Sequence, residues 1–142
     1  MNEASVPQDL LYALTQVAHN FGAMTVAGGA ILARWPVQQG TSMRRRFAWW
    51  VLAGWVVQGV SGAIFGAISM AFYGRLPDLQ GVAWAALLIK MACAVIGFAL
   101  AALYLQCTPK RWSDRQQTQA WNGMIVLAAT ALTAAAFLRW FA

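Results

Sequence analysis

The sequence contains few charged residues. Only 10% of its 142 residues are charged and only four are acidic, whereas 61% are hydrophobic. An ordinary soluble domain carries about 25% charged residues. A chain of this length still leaves roughly 30% of its unfolded surface exposed when it folds. The composition therefore excludes a water-soluble globular domain and predicts a protein that exposes apolar surface to lipid or to a partner.

Cysteine and histidine are also scarce, with two cysteines and one histidine in the chain. Cys93 and Cys107 lie on one predicted helix, whose rise separates them by ~21 Å. This distance excludes a disulfide between them. The chain also lacks CxxC, HExxH and any other Cys/His cluster, which argues against a structural zinc site.

The positive charge is concentrated in short connections between apolar stretches. The formal net charge is +6. The first connection carries Arg34 and Arg44–Arg46, and the third carries Lys110, Arg111 and Arg115. Cytoplasmic loops of membrane proteins carry such an excess of lysine and arginine. The charge therefore predicts membrane topology, with both connections in the cytoplasm, and excludes a nucleic-acid partner.

The remaining connection and the N-terminus are neutral or acidic. The second connection balances Arg75 with Asp78, and the N-terminal stretch carries Glu3 and Asp9 but no basic residue. That stretch lacks the positive start of a signal peptide, so the first helix is expected to remain in the protein. We expect a multi-pass protein of the bacterial inner (cytoplasmic) membrane, with the N- and C-termini periplasmic.

Four apolar stretches are each long enough to cross a bilayer core of ~30 Å. They run from Leu10 to Ala33, from Phe47 to Tyr73, from Val82 to Leu105 and from Ala120 to Phe141. Short connections make consecutive helices antiparallel neighbours. Most of the eight tryptophans lie near the ends of these stretches, where amphipathic rings prefer the headgroup layer. The predicted fold is an all-α integral membrane protein, a four-transmembrane-helix up-down bundle that forms a single domain over residues 1–142.

The only histidine and the only lysine within an apolar stretch fall at nearly the same depth. If both of their helices run inward from the periplasmic side, His19 lies ~13 Å and Lys90 ~12 Å below that surface. Ionisable side chains are expensive in hydrocarbon and usually face the bundle interior or water. We therefore expect the pair to face the interior and to mark a binding site.

Three further residues are predicted to line this site: Gln16, Gln58 and Gly62. Gly62 also begins a GxxxG segment, whose commonest use is contact between helices. Met91 is a weaker alternative to Lys90 as a metal ligand.

The residue types in the predicted site leave three kinds of ligand open. Imidazole is a standard axial ligand of haem iron, and small residues such as Gly22 and Ala23 beside His19 suit a flat porphyrin. Lys90 would then complete the coordination or pair with a propionate of haem b. A quinone is the second option, with Gln16, His19 and Lys90 donating to its carbonyl oxygens. Copper is the third, although the outer face lacks a His/Met cluster to collect the ion.

Three segments carry a resemblance to a known family. They read VAHNFGAMTVAGGAILARW in the first helix, RRRFAWWVLAGWVVQGVSGAIFG in the second and AWAALLIKMACAVIGFALAALYL in the third. Together they cover roughly Leu10 to Leu105. They resemble the copper-resistance D (CopD) membrane family and the related HemJ-type protoporphyrinogen oxidases.

The resemblance implies a four-helix membrane module with a histidine and a glycine pair in the first helix and a lysine in the third. His19, Gly28 with Gly29, and Lys90 match these positions. In the HemJ type the histidine and the lysine are tied to haem b and to activity, so the resemblance implies these roles here. At residues 30–34 the chain reads AILAR, without the aromatic, Leu-Pro-Arg-containing continuation of the HemJ type. Whether the chain is an enzyme stays open.

These observations lead us to expect a haem b-binding inner-membrane redox protein or redox subunit, with His19 as axial ligand. One alternative is a non-catalytic accessory subunit of a larger respiratory or photosynthetic membrane complex, because the tiny connections leave no extramembrane domain to bind a substrate. The other is a copper transport or resistance protein. The expected partners are the lipid bilayer and either further copies of the chain or the other subunits of a larger complex.

Overall fold

The structure, a computed structural model, describes residues 6–35, 40–74, 79–107 and 111–141. These residues form four α-helices: α1 (Val6–Arg34), α2 (Thr41–Tyr73), α3 (Val82–Cys107) and α4 (Asp114–Phe141). The predicted all-helical, four-helix architecture is confirmed. Four charged residues used for the predicted topology lie outside the described residues: Glu3, Arg75, Asp78 and Lys110.

The helices extend beyond the apolar stretches because polar residues cap or continue them. α4 begins six residues before Ala120, behind a capping box in which Ser113 N–H donates to Gln116 Oε1 at 2.9 Å and Gln116 N–H donates to Ser113 Oγ at 3.4 Å. α2 ends at Gly74, whose φ of 65° lets its N–H reach the carbonyl of Met70. Hydropathy locates an apolar core, and capping decides where the helix stops.

The four helices form a ring in chain order. α1 packs on α2, α2 on α3, α3 on α4, and α4 closes the ring on α1. Among the described residues, no backbone contact within 8 Å joins the diagonal pairs, α1 with α3 or α2 with α4. The predicted up-down order is therefore observed. The C-terminal ends of α1 and α3 and the N-terminal ends of α2 and α4 form one end of the bundle, hereafter the basic end.

Glycines bring α1 and α2 close together. A Cβ on Gly54 would lie 2.7 Å from Val26 Cγ2, and a Cβ on Gly29 would lie 3.0 Å from Val51 Cγ2. A Cβ on Gly54 would also lie 3.1 Å from the carbonyl oxygen of Gly22, so glycine at this position permits the close approach of the two backbones. A Cβ on Gly29 would require the Val51 side chain to shift. From Val26 to Gly29 the chain advances three residues on α1, and their partners Gly54 and Val51 go back three residues on α2, as an antiparallel pair requires.

The main core extends from the basic end to the middle of the bundle. Its members are small or aromatic and come from all four helices: Val26, Ala30, Ala33, Ala48, Val51, Trp55, Cys93, Ala101, Tyr104, Leu105, Ala120, Trp121, Met124, Ala128 and Ala131. Gly97 of α3 lies directly against the indole ring of Trp55, where a Cβ would overlap ring atoms. Tyr104 meets Trp121 edge to face at a centroid distance of 4.9 Å.

Three of the helices, α2, α3 and α4, are long and apolar enough to cross a membrane by length and composition. α1 is not among these three, although its 29 residues would extend ~43 Å. Polar residues such as Asp9, Gln16, His19 and Asn20 reduce its average hydropathy. Where these polar residues lie in the bundle therefore decides whether α1 can be interpreted as a membrane-spanning helix.

Candidate functional site

His19 and Lys90 meet inside the bundle. His19 is buried with 8% of its surface exposed, and Lys90 Nζ lies 2.7 Å from His19 Nε2. The long lysine side chain bridges the diagonal between α3 and α1, whose backbones do not touch. The two residues are level in the bundle, and their depth in a membrane stays a prediction. Their role in binding stays a prediction.

Ser61 of α2 holds the other nitrogen of the imidazole. The register that sets Val26 against Gly54, continued by seven residues along both helices, brings His19 level with Ser61. His19 Nδ1 and Ser61 Oγ are 2.7 Å apart, and the buried Ser61 hydroxyl donates to the carbonyl of Val57.

This network assigns the tautomer of His19. A serine hydroxyl has one proton, and Ser61 already donates it to Val57. Ser61 Oγ must therefore accept from His19, which places the imidazole proton on Nδ1. The lone pair of Nε2 then accepts a hydrogen bond from Lys90. The chain of donors runs from the amine through the imidazole and the hydroxyl to a backbone carbonyl.

Gln58 ties the backbone of His19 to α2. Its Nε2 donates to the carbonyl oxygen of His19, across the α1–α2 interface. The predicted amide is therefore present at the site, but it contacts the histidine backbone and leaves the imidazole to other partners. Together with Ser61, it restrains both the position and the ring orientation of His19.

Aromatic rings cover the site on the side away from the basic end. Phe65 of α2 meets the imidazole of His19 edge to face at a centroid distance of 5.8 Å. Tyr12 of α1 stacks on the ring of Phe65 at a centroid distance of 6.1 Å. Thr15, also buried, donates to the carbonyl of Leu11 within its own helix. The apolar surface of these two rings lies between the His19–Lys90 pair and the end of the bundle opposite the basic end.

Small side chains line the site on α3 and α4. Ala86, Cys93 and Gly97 of α3 are buried, so the face of small residues that also carries Lys90 turns toward the bundle. A Cβ on Gly123 of α4 would lie 3.3 Å from Leu100 of α3. Continuing that antiparallel register by ten residues brings Lys90 level with Thr133, next to the buried Ala134. An alanine face therefore stands opposite the polar residues.

The structure does not bring three predicted residues to this pair. Gln16 is exposed and donates to Asn20 Oδ1 at 2.8 Å. Gly62 is exposed, with no atom within 4 Å of where its Cβ would stand. Met91 is 57% exposed on the outside of the bundle. Neighbouring positions in sequence point away from the site because each helix turns only one face inward.

Sequence reasoning missed Ser61 and Phe65. Ser61 lies one turn from Gln58 in a stretch of small and apolar residues. A hydroxyl group in such a stretch is the signal by which Ser61 could have been found. Phe65 gave no signal, since an aromatic residue in an apolar helix has many other uses.

Within the described ranges, no three His, Cys, Asp or Glu side chains cluster in a way that would hold a metal ion.

No protein-family model matches the chain, and neither does any curated protein or solved structure. The resemblance to the copper-resistance D family and the HemJ type therefore stays a hypothesis that rests on the quoted segments. The class established by the structure is a four-helix bundle with three helices apolar enough to span a membrane.

Proposed function

We propose that all four helices span a membrane, with both termini on the periplasmic side of a bacterial inner membrane. The exposed face of α1 supports this topology, because Leu14, Phe21 and Met24 are 58%, 65% and 69% exposed and would otherwise face water. Several polar residues of α1 form hydrogen bonds within the bundle or to each other, as His19 does with Ser61 and Gln16 with Asn20. Arginines at the basic end support a cytoplasmic location for that end.

Topology is tested by extraction and by reporters. The protein should stay in the membrane pellet after alkaline carbonate treatment. Periplasm-active and cytoplasm-active reporters, each fused to either terminus, should report periplasmic ends for both fusions. Opposite signals from the two termini would mean three spans, with α1 lying outside the hydrocarbon layer.

Within this bundle, the proposed function is that of a haem b-binding redox protein or redox subunit with His19 as the axial ligand. The observation that carries the proposal is the anchored imidazole. Metal-ligating histidines usually donate their other ring N–H to an oxygen, which fixes the tautomer. Ser61 accepts from Nδ1 here, so Nε2 presents its lone pair to the bundle interior.

The surrounding residues fit such a group. Lys90 supplies a cation beside Nε2, and coordination through Nε2 would release its amine to pair with a propionate. Ala86 and Ala134 near this level are buried and small, as residues beside a flat ring system need to be. Haem b, when bound, supplies one-electron chemistry. The chain itself would hold Nε2 of His19 in position and would keep the charge of Lys90 paired.

The test is a reduced-minus-oxidised spectrum of protein purified in mild detergent. A haem spectrum with near one haem per chain is expected, and His19→Ala should remove it. Gln16→Ala, one turn away on the same helix but facing outward, is the matched control and should retain haem. A stoichiometric spectrum that survives His19→Ala would show that another residue holds the iron.

A second candidate is an accessory subunit of a larger membrane complex. It is favoured by Gly59 and Gly62 on α2, which face outward with no atom within 4 Å of either Cβ position. Such a surface suits close contact with another helix. Native purification separates the candidates, because recovery only as a free monomer or homodimer would contradict an accessory role. Copper transport has weaker support, since Met91 stands apart from His19.

A further inference from the structure

Arginines crowd the basic end of the bundle. Six of them lie among its described residues: Arg34, Arg44, Arg45, Arg46, Arg111 and Arg115. Asp114, at the start of α4, is the one acidic residue described at that end. The described part of this end therefore carries a net positive charge.

Arg44 differs from the other arginines in its position. It extends the inward-facing row of Ala48, Val51 and Trp55 by one helical turn toward the basic end. Its side chain is partly buried, whereas Arg45 and Arg46 are exposed. The Nε atom of Arg44 is buried and has no hydrogen-bond partner among the described residues. Because Nε itself is covered by the protein, an external oxygen would meet the part of the Arg44 side chain that stays exposed.

The backbone adds positive potential at the same place. α2 starts after Gly40, without a side-chain cap and without an acidic residue in its first turn. The first N–H groups of a helix have no partner within the helix and carry the positive end of its dipole. Arg44 and its two neighbours in sequence therefore surround a helix end that already favours an anion.

Tryptophans show where this anion would lie. Trp35, Trp49 and Trp50 are 58%, 56% and 64% exposed near the ends of α1 and α2. Exposed tryptophans at the ends of spanning helices belong at headgroup level. The phosphate layer of a bilayer would therefore lie at the height of the arginines.

We propose that the basic end binds the phosphate of an acidic phospholipid through Arg44, with Arg45 and Arg46 adding electrostatic attraction. Guanidinium forms paired hydrogen bonds to phosphate oxygens, which an ammonium group does not. Clusters of arginine next to a spanning helix on its cytoplasmic side recognise anionic lipids. The proposal rests on the proposed membrane insertion and is independent of haem.

Native mass spectrometry of the full chain in neutral detergent tests this site. With phosphatidylglycerol and phosphatidylcholine added in equal amounts, phosphatidylglycerol should be the lipid retained. Arg44→Gln should weaken its retention about fivefold or more, because each arginine near an anionic surface contributes ~1 kcal/mol before any direct hydrogen bond is counted. Arg46→Gln removes the same charge from an exposed position and should cause the smaller loss. Arg44→Lys, which keeps the charge but not the paired hydrogen bonds, should fall between them.

Three results would overturn the proposal. They are equal losses in Arg44→Gln and Arg46→Gln, equal retention of phosphatidylcholine, and displacement of the lipid by millimolar inorganic phosphate alone. Unchanged thermal melting of the Arg44 variants excludes misfolding as the cause of a loss. Haem content measured on the same samples keeps the two proposals apart, since the Arg44 variants should retain the spectrum that His19→Ala loses.

Discussion

The two halves of the bundle are held together differently. Toward the basic end, small residues let helices touch and aromatic residues fill the space between them, as where Gly97 meets Trp55. The buried indole N–H groups of Trp55 and Trp121 in this half have no hydrogen-bond partner among the described residues. In the other half, hydrogen bonds between helices connect His19 to Ser61 and Lys90.

The two halves therefore have different roles: one holds the helices in place, and the other contains the polar residues of the site. The tightly packed half fixes the distances and register of the helices. The site half then needs only short polar contacts to bring one histidine and one lysine together.

The largest effect is expected from Trp121→Ala. Trp121 is 1% exposed in the packed half, and removal of such a side chain leaves a cavity that costs roughly 3–5 kcal/mol. Unfolding in mixed detergent micelles, followed by circular dichroism, measures this loss. Trp140→Ala, at a position 84% exposed, is the control and should change stability little. Equal losses in both variants would show that the packed half is not the support.

A smaller loss is expected from Gly97→Ala. The added methyl group would overlap the indole of Trp55 and force α2 and α3 apart, at a cost of about 1–3 kcal/mol. Gly62→Ala introduces the same group into open space and should be neutral or slightly stabilising, because alanine favours helix. The same unfolding assay compares the two. Destabilisation by Gly62→Ala would instead indicate a partner on that face.

The site half should show a modest coupling between His19 and Ser61. A double-mutant cycle of His19→Phe and Ser61→Ala is expected to give a coupling free energy of roughly 0.6–1.7 kcal/mol, the range of hydrogen bonds between membrane helices. Thr25→Ala serves as the control, because its hydroxyl donates to Phe21 within α1. Coupling of His19 to Thr25 as strong as to Ser61 would contradict the proposed network.

The smallest effect is expected at the rim of the basic end. Arg34 Nε donates to Asn122 Oδ1 at 3.0 Å, but both side chains are exposed. Asn122→Ala should change the free energy of unfolding by no more than about 0.5 kcal/mol in the same assay. A loss above that range would mean that this contact, and not packing alone, closes the ring between α1 and α4.

Local sequence patterns predicted the helices better than their ends. The apolar run from Ala120 gives no information about the polar turns before it, in which Ser113 and Gln116 start α4. The roles of polar residues were predicted unevenly for a similar reason. Gln16 and Gln58 have the same side chain and both lie within apolar stretches, yet one faces outward and the other contacts the backbone of His19.

Sequence patterns alone predict that the chain forms four helices in up-down order and that His19 and Lys90 lie level. Those properties depend on hydropathy, chain length and the fixed rise of a helix, all of which are local. Only the tertiary structure decided that Ser61 holds Nδ1, that Lys90 reaches Nε2 and that Gln16 and Met91 face outward. The rotation of each helix about its axis depends on packing against its neighbours, and no single helix contains that information.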